Sequence, residues 1–377
     1  MKKNLNGFLD SGSTLQLGSG KWSKIKRSLL KLNNDLIIVT SKSCKKFITD
    51  IPSKYFLVIS EEPSLNLIDN YFDEISKIIN KANKTTYIAL GGGSVVDTAK
   101  ILSLMVDNNI KSSKEAIKKT NDINISEKSK IICIPSTAGT GAEITPFSTI
   151  WDKENGIKYS IIASKINREI ILDPEISLSL PEKVTISTGL DSLCQILEST
   201  WSKKANDKSL SAASLGFEYV NKNFYSVINN PIDAESRKEM LFASFLSGVS
   251  ISISNTTLCH SISYPLTSLL NIPHGIACGL TLVEVIKFNS TSKGKFLKNT
   301  FKVANVEDSE SLVKKILLLF EKIKYKNIIE PYITKIEKNI DKLLPLTISS
   351  RASNNPVTAT LIDVEKILKN SLNYYKY

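Results

Sequence analysis

Cysteine is sparse in this 377-residue sequence, and its five copies form neither a CxxC pair nor a regular spacing. That pattern argues against a disulfide framework and against a zinc ribbon. No apolar run approaches the roughly 18 residues of a membrane span. The two lysines that follow Met1 are not succeeded by the apolar segment of a signal peptide. We therefore predict a cytoplasmic protein that does not enter a membrane.

Acidic residues are outnumbered, with 37 Asp and Glu against 49 Lys and Arg, so the formal net charge is +12. The lysines are scattered, and no basic run is interleaved with aromatic residues as is typical of nucleic-acid binding. No nucleic-acid partner is therefore expected. Two interpretations remain: a solvated, lysine-rich surface, or a positive field that draws small anions into a cleft.

Histidine is the scarcest chemically versatile residue, and both copies, His260 and His274, lie between positions 259 and 275. Imidazole is a common metal ligand and proton-transfer group. Upstream, Asp191 and Gln195 are spaced so that a helix would place them on one face. Two imidazoles, a carboxylate and an amide oxygen would form a divalent metal site with room for a substrate oxygen. The alternative is two unrelated structural histidines.

The period of the apolar residues changes midway along the chain. Short apolar runs at 36–40, 55–59, 86–90 and 131–135 predict buried parallel strands that alternate with helices. After about residue 181, amphipathic helices are predicted near 188–202, 209–225, 234–254, 256–270, 310–322 and 359–371. We predict an α/β, Rossmann-like N-terminal domain with a parallel sheet, residues 1–180, and an all-α C-terminal domain, residues 181–377.

Two small-residue loops follow predicted strands and are candidates for binding a dinucleotide. In the first, three glycines and a serine precede a helix, so that backbone N–H groups and the helix dipole could approach a pyrophosphate. The second offers hydroxyl groups and bare backbone. The alternative for the first loop is an ordinary tight turn. The predicted cofactor residues of these loops are Gly91, Gly92, Gly93, Ser94, which is expected to cap the helix, Asp97, Ser136, Thr137 and Thr140.

Four motifs, in order over most of the chain, resemble the iron-containing (group III) alcohol dehydrogenases: runs 91–100, 136–143 and 173–191, and the spacing from His260 to His274-Gly275. The resemblance implies a Rossmann-like domain, a helical domain, NADH or NADPH in the cleft, and Fe²⁺ or Zn²⁺ beneath it. It also implies NAD(P)-dependent reduction of an aldehyde to an alcohol by a homodimer. The dehydroquinate synthases share the architecture, but they carry more histidines around the metal.

The sequence departs from this family at two positions. Gln195 stands where the second ligand is normally His, and Tyr264 stands where a second His normally relays protons. The resemblance thus implies a metal set of Asp191, Gln195, His260 and His274, in which an amide oxygen is a weaker donor than imidazole. Gln195 could instead hydrogen-bond a ligand while water completes the site. Tyr264 could donate the proton or pack against the cofactor.

The combination of Asp191 to Gln195, His260 to Pro265 and Arg351 to Asn355 resembles the branch containing phosphonoacetaldehyde reductases, which make 2-hydroxyethylphosphonate. A doubly charged phosphonate needs cationic partners, and arginine offers bidentate recognition. Arg351, Lys158 and Asn355 are the substrate candidates, and Lys158 is also expected near the nicotinamide. An ion pair is the alternative role of Arg351.

In many relatives an acidic residue after the second strand holds the adenosine ribose and repels a 2′-phosphate. Ser41 stands there instead, so NADPH should be tolerated or preferred. The resemblance also leaves two other functions open. One is the same chemistry on another short aldehyde, as in lactaldehyde or propanediol enzymes, and the other is a nucleotide-binding protein whose catalytic site has decayed.

Overall fold

The computed structural model describes residues 7–10, 12–29, 35–79, 84–120, 123, 125, 129–163, 165–290 and 295–376. The chain divides into two compact units. The first comprises residues up to Thr137 and then Gly141–Leu180, and the second comprises Ala138–Thr140 and the chain from Pro181 onward. The loop 136–143 therefore contributes residues to both units.

A six-stranded sheet forms the centre of the first unit. Its order is β1 (Thr14–Leu17), β8 (Arg168–Leu172), β5 (Ser129–Pro135), β4 (Thr85–Gly91), β2 (Asp35–Ser41) and β3 (Tyr55–Ile59). Every neighbouring pair in the sheet is parallel. An antiparallel pair, β6 (Phe147–Asp152) and β7 (Ile157–Ile162), stands apart from that sheet. The predicted α/β architecture with a parallel sheet is confirmed.

Successive residues of a strand point to opposite faces, so a fully buried strand must be apolar on both. On β4, Tyr87 and Ala89 belong to one core cluster, while Ile88 and Leu90 belong to the cluster on the other face. Four helices accompany the strands of this unit: α1 (Lys21–Leu29), α2 (Leu65–Ile78), α3 (Gly93–Asp107) and α4 (Ser113–Lys118). Helix α1 adds Trp22 to one cluster, and α2 and α3 pack into the other.

The described part of the second unit is helical. Its helices are α5 (Glu182–Trp201), α6 (Asp207–Asn229), α7 (Ala234–Ser254), α8 (Leu258–Leu270), α9 (His274–Ser290), α10 (Lys298–Ala304), α11 (Ser309–Lys322), α12 (Tyr325–Glu337), α13 (Ile340–Leu343) and α14 (Leu361–Lys376). One hydrophobic core runs through this unit. Within the described residues no single helix meets the length and hydropathy expected of a membrane span, although the bent pair α7 and α8 meets them jointly.

Candidate functional site

The buried polar side chains of helix α5 include two carboxylates and one amide. Asp191, Gln195 and Glu198 are spaced by four and then three residues, which places them on one helix face. All three are buried, and Glu198 has no exposed surface. Buried carboxylates are costly unless they are hydrogen-bonded or bind a cation, so this face of α5 requires polar partners.

The two histidines are among the polar partners of this face of α5. His260 lies in α8 and His274 begins α9, and their ring centroids are 5.4 Å apart. The Nε2 atom of His260 lies 3.2 Å from Asp191 Oδ1, and Nε2 of His274 lies 3.9 Å from the same oxygen. Asp191 and both histidines therefore face one point, as a shared metal site requires.

Gly275 explains how α9 comes so close to α5. A Cβ atom at this position would lie 1.7 Å from the carbonyl oxygen of Ser187 and 2.9 Å from the backbone nitrogen of Asp191. Only glycine fits where one helix backbone passes another at this distance. The pairing of His274 with Gly275 thus sets a ligand directly beside the helix that bears Asp191.

Cys278 is the fourth member of this cluster. It follows His274 by one helical turn, it is completely buried, and its Sγ lies 3.9 Å from His274 Nε2. One ligand atom from each of Asp191, His260, His274 and Cys278 lies within 4.8 Å of the others. A carboxylate, two imidazoles and a thiol are all donors that bind divalent transition metals, so the residues present fit such an ion. We refer to these four residues as the donor cluster.

The ligand set predicted from the sequence did not include Cys278, although its four-residue spacing from His274 places both on one helix face. The predicted site also left out Glu198. Glu198 Oε2 is hydrogen-bonded to His260 Nδ1, which leaves Nε2 to face the donor cluster. Its Oε1 accepts from the backbone N–H groups of Thr257 at 3.1 Å and Cys259 at 2.9 Å, and from the Thr257 hydroxyl at 2.7 Å. A carboxylate behind a ligating histidine orients the ring and increases its basicity.

Gln195 is hydrogen-bonded on both sides of its amide. Its Nε2 donates to Asp191 Oδ1 at 3.2 Å, and its Oε1 accepts from Ser247 Oγ at 2.8 Å. The amide therefore presents its nitrogen to the cluster, and an amide nitrogen does not bind a cation. This arrangement corresponds to the alternative in which Gln195 hydrogen-bonds a ligand, and the set with Gln195 as a ligand stays a prediction.

Close packing of these groups shifts their proton affinities. Burial alone would lower the pKa of His260, but the neighbouring Cys278, Glu198 and Asp191 raise it well above its usual range. Burial raises the pKa of the Cys278 thiol, but His260 and His274 outweigh it and bring that pKa down to about 7. A cation binds the deprotonated forms of both groups, so these pKa shifts make metal binding depend on pH.

The remaining predicted residues of the second unit differ in their surroundings. The Tyr264 ring lies nearly parallel to that of His274, with centroids 6.0 Å apart. Arg351 Nη1 donates to Asn255 Oδ1 at 2.6 Å. Asn355 is fully buried, and its amide exchanges hydrogen bonds with Asn289 at 3.2 and 2.7 Å. The prediction that Asn355 contacts substrate is not supported, because these bonds occupy its amide within the core.

The glycine loop lies where β4 passes into α3. Gly92 is the N-cap of α3 and has no side-chain cap, so the prediction that Ser94 caps this helix is wrong. Ser94 lies in the first turn and donates to Glu62 Oε2 at 3.0 Å. A Cβ on Gly91 would meet the Val95 side chain at 2.5 Å, whereas one on Gly92 would make only an ordinary contact with Thr137. Gly91 is therefore required by the packing of the turn, and Gly93 begins the helix.

The polar residues around this loop have structural partners in the first unit. Asp97 is buried, pairs with Lys100 at 3.0 Å and accepts from the Thr149 backbone N–H at 2.9 Å. The bond to Thr149 holds β6 against α3, so Asp97 has a structural role. Ser136 N donates to Gly91 O at 2.9 Å, which joins the ends of β5 and β4.

Three further predicted positions are distributed over both units. In the first, Ser41 ends β2, and its hydroxyl lies 3.1 Å from that of Ser43. Lys158, on β7, holds its Nζ 5.6 Å from the centroid of the Trp151 ring. Thr140 is grouped with the second unit.

Comparison with known proteins gives two family matches that together span most of the chain. Residues 13–174 match the model of the iron-containing alcohol dehydrogenases, and residues 185–372 match the C-terminal model of the Fe-containing alcohol dehydrogenase family. The glycine loop lies within the first matched range, and the donor cluster lies within the second.

Three relatives indicate the range of chemistry around this chain. A phosphonoacetaldehyde reductase of Streptomyces viridochromogenes is 33% identical over 54% of this chain and 52% of its own length. An NADPH-dependent butanol dehydrogenase of Clostridium saccharobutylicum is 29% identical over 65% of this chain and 64% of its length. The crystal structure of a sulfoacetaldehyde reductase from Bifidobacterium kashiwanohense with NAD⁺ is 26% identical, covers 97% of this chain and 98% of its own, and has a TM-score of 0.79. The sequence matches thus span about half to two thirds of these curated relatives.

Proposed function

Since this chain belongs to the iron-containing alcohol dehydrogenase family, we propose that it uses NAD(P)H and a divalent metal to reduce a short aldehyde to a primary alcohol. The observation that carries this proposal is the donor cluster, whose ligand atoms lie within 4.8 Å of one another. A catalytically decayed nucleotide-binding protein has no need to keep a carboxylate, two imidazoles and a thiol at that spacing. The cluster therefore favours a working enzyme.

A divalent cation in this cluster would act as a Lewis acid on the aldehyde oxygen, and the nicotinamide would supply the hydride. The protein's part is to hold that cation in one place and to supply a proton. Glu198 fixes the ring of His260, and Gln195 fixes the carboxylate of Asp191. Because both orienting groups are buried, little reorganisation accompanies the charge that develops on the substrate oxygen. Tyr264, stacked on His274, is the proposed proton donor.

For the cofactor, we propose that its phosphates bind the backbone at Gly92 and Gly93, where α3 begins. A helix N-terminus presents N–H groups and a partial positive charge to an anion. Ser94, Ser136, Thr137 and Thr140 remain candidates for polar contacts. Ser41 carries no negative charge, so NADPH should be tolerated or preferred.

For the substrate, we propose a two-carbon aldehyde with an anionic head group, in the first place phosphonoacetaldehyde. Two of the relatives are named for aldehydes of this kind, one a phosphonate and one a sulfonate. Arg351 is the first candidate for the anion. Its segment is tied to α8, since Ser349 N donates at 2.8 Å to the hydroxyl of Ser261, the residue after His260. Lys158 is the second candidate.

The test is a substrate panel. NADPH and NADH oxidation is followed with phosphonoacetaldehyde, sulfoacetaldehyde and a neutral aldehyde of similar length, with iron or with zinc added. Arg351→Ala should raise KM for the anionic aldehydes roughly 10- to 100-fold, the worth of a charged hydrogen bond, and leave KM for the neutral aldehyde nearly unchanged. Arg351→Lys is the matched control that keeps the charge and loses the planar fork.

Equal losses on anionic and neutral aldehydes would remove Arg351 from the binding role. A kcat/KM that is highest for the neutral aldehyde would instead favour the alternative function, a lactaldehyde- or propanediol-type enzyme. Absence of reduction with every aldehyde and either metal would contradict the proposed reaction as a whole.

A further inference from the structure

The donor cluster contains the thiol of Cys278. This thiol can supply a metal donor in a chain that has Gln195 where the family normally has a histidine ligand. In this structure the Gln195 oxygen accepts from the Ser247 hydroxyl and its nitrogen donates to Asp191, so its oxygen faces away from the donor cluster. Only three ligands would then remain from the set anticipated in the sequence. Cys278 is the side chain placed to supply the fourth, since it is one turn beyond His274 on the same face of α9.

Distances in the cluster are those of a site that closes around one ion. In a tetrahedral zinc site with bonds of about 2.0 to 2.3 Å, ligand atoms lie roughly 3.3 to 3.7 Å apart. Here Asp191 Oδ1 is 3.2 Å from His260 Nε2 and 3.9 Å from His274 Nε2. Cys278 Sγ is 3.9 Å from His274 Nε2. The remaining pairs of donor atoms lie within 4.8 Å, so movements of up to about 1 Å would bring all four atoms to bonding distance.

We propose that the Cys278 thiolate is a metal ligand together with Asp191, His260 and His274, and that Gln195 is a positioning residue. This inference rests on the proposed function, which places a cation in the cluster. Binding releases the thiol proton to solvent, as it does at other thiolate sites. A carboxylate and a thiolate together balance the two charges of the cation, whereas a set with Gln195 in place of Cys278 would leave the site with one positive charge.

The chemical consequence is a preference for softer metals. Thiolate ligands favour Zn²⁺ and other divalent metals of intermediate softness, while Mn²⁺ and Mg²⁺ favour oxygen ligands. Zinc also accepts a fifth ligand during catalysis, so an aldehyde oxygen has a place beside four protein ligands. The alternative is that Cys278 is a buried apolar side chain without a role at the metal, which is common for free cysteine.

Cobalt is the probe that separates these possibilities, because a thiolate bound to Co²⁺ gives an intense near-ultraviolet charge-transfer absorption that nitrogen and oxygen ligands lack. Metal-free full-length protein is titrated with Co²⁺ and, in competition with a chelator, with Zn²⁺ and Mn²⁺. Cys278→Ala and the near-isosteric Cys278→Ser are compared with Cys194→Ala. Cys194 is the matched control, since it is equally buried in the same core and lies outside the donor cluster.

The wild type and Cys194→Ala should show the charge-transfer band at one Co²⁺ per chain, and both Cys278 variants should lack it. Loss of the thiolate should weaken Zn²⁺ binding at least about 10-fold and Mn²⁺ binding less than about 3-fold. One Co²⁺ bound by the wild type without the band overturns the proposal and leaves the metal site standing. No Co²⁺ bound by the wild type overturns both the proposal and the metal site. The wild-type spectrum tests the proposal by itself, so the test does not depend on whether a variant folds.

Discussion

Gly275→Ala tests how the helix packing creates the donor cluster. The added Cβ would lie 1.7 Å from the Ser187 carbonyl oxygen and 2.9 Å from the Asp191 nitrogen. Both neighbours are helix backbone and cannot rotate away, so α9 must move from α5 by more than about 1 Å to reach van der Waals separation. Overpacking of this kind costs about 1 to 3 kcal/mol. For a unit of this size that is a fall of roughly 2 to 12 °C in Tm.

The same movement separates His274 from Asp191, and metal sites tolerate errors of only about 0.2 Å. We therefore expect Gly275→Ala to bind Zn²⁺ much more weakly than the wild type, as measured by competition with a chromogenic chelator. Adding Zn²⁺ should also raise the Tm of the variant less than it raises the Tm of the wild type. Gly279→Ala, one turn later on α9, is the control, because its Cβ would meet Leu190 at an acceptable 3.4 Å. A Gly275→Ala protein with wild-type Tm and Zn²⁺ affinity would refute this reasoning.

Three further changes probe other parts of the account. Glu198→Gln should weaken Zn²⁺ binding about 10- to 100-fold, because it removes the carboxylate that orients His260; an unchanged Zn²⁺ dissociation constant would contradict this. Burial raises the pKa of Glu143 from 4.5 to about 7. The folded protein therefore keeps a proton that the unfolded chain releases, and the free energy of unfolding should fall by up to about 3 kcal/mol as pH rises between those values. Denaturant titrations of Glu143→Gln should lack that fall, and an equal fall in the variant would exclude Glu143 as its source. Tyr264→Phe should lower kcat about 10²- to 10⁴-fold with unchanged metal content if its hydroxyl donates the proton; wild-type kcat would assign that proton to another group.

The inner strands β2, β4 and β5 of the parallel sheet were predictable because each is a short apolar run buried on both faces. The predicted runs at 36–40 and 86–90 lie within β2 and β4. Helix α9 was missed for the converse reason: it is buried on nearly every side, so its apolar residues show no amphipathic period. The prediction that Ser94 caps α3 was wrong because the N-cap is Gly92, two positions earlier than the serine that residue preferences favour.

The candidate site was predictable only as far as residue type and spacing could indicate it. Both histidines and Asp191 are rare or well-spaced polar residues, and the structure brings them together. Glu198 is chemically ordinary in sequence, and its importance arises from its contact with His260, which spacing does not show. The spacing of Cys278 from His274 places both on one face of α9, but it does not show that this face meets Asp191 and His260. The direction of the Gln195 amide depends on Ser247, which is 52 residues away in the chain.

Calorimetric titration of the metal-free protein with Zn²⁺ tests the central claim most directly. The account predicts one tight site per chain in the wild type, and at least about 100-fold weaker binding in both His260→Ala and His274→Ala, with near-native circular dichroism. Wild-type Zn²⁺ affinity in either folded variant would show that the two imidazoles do not hold a common ion.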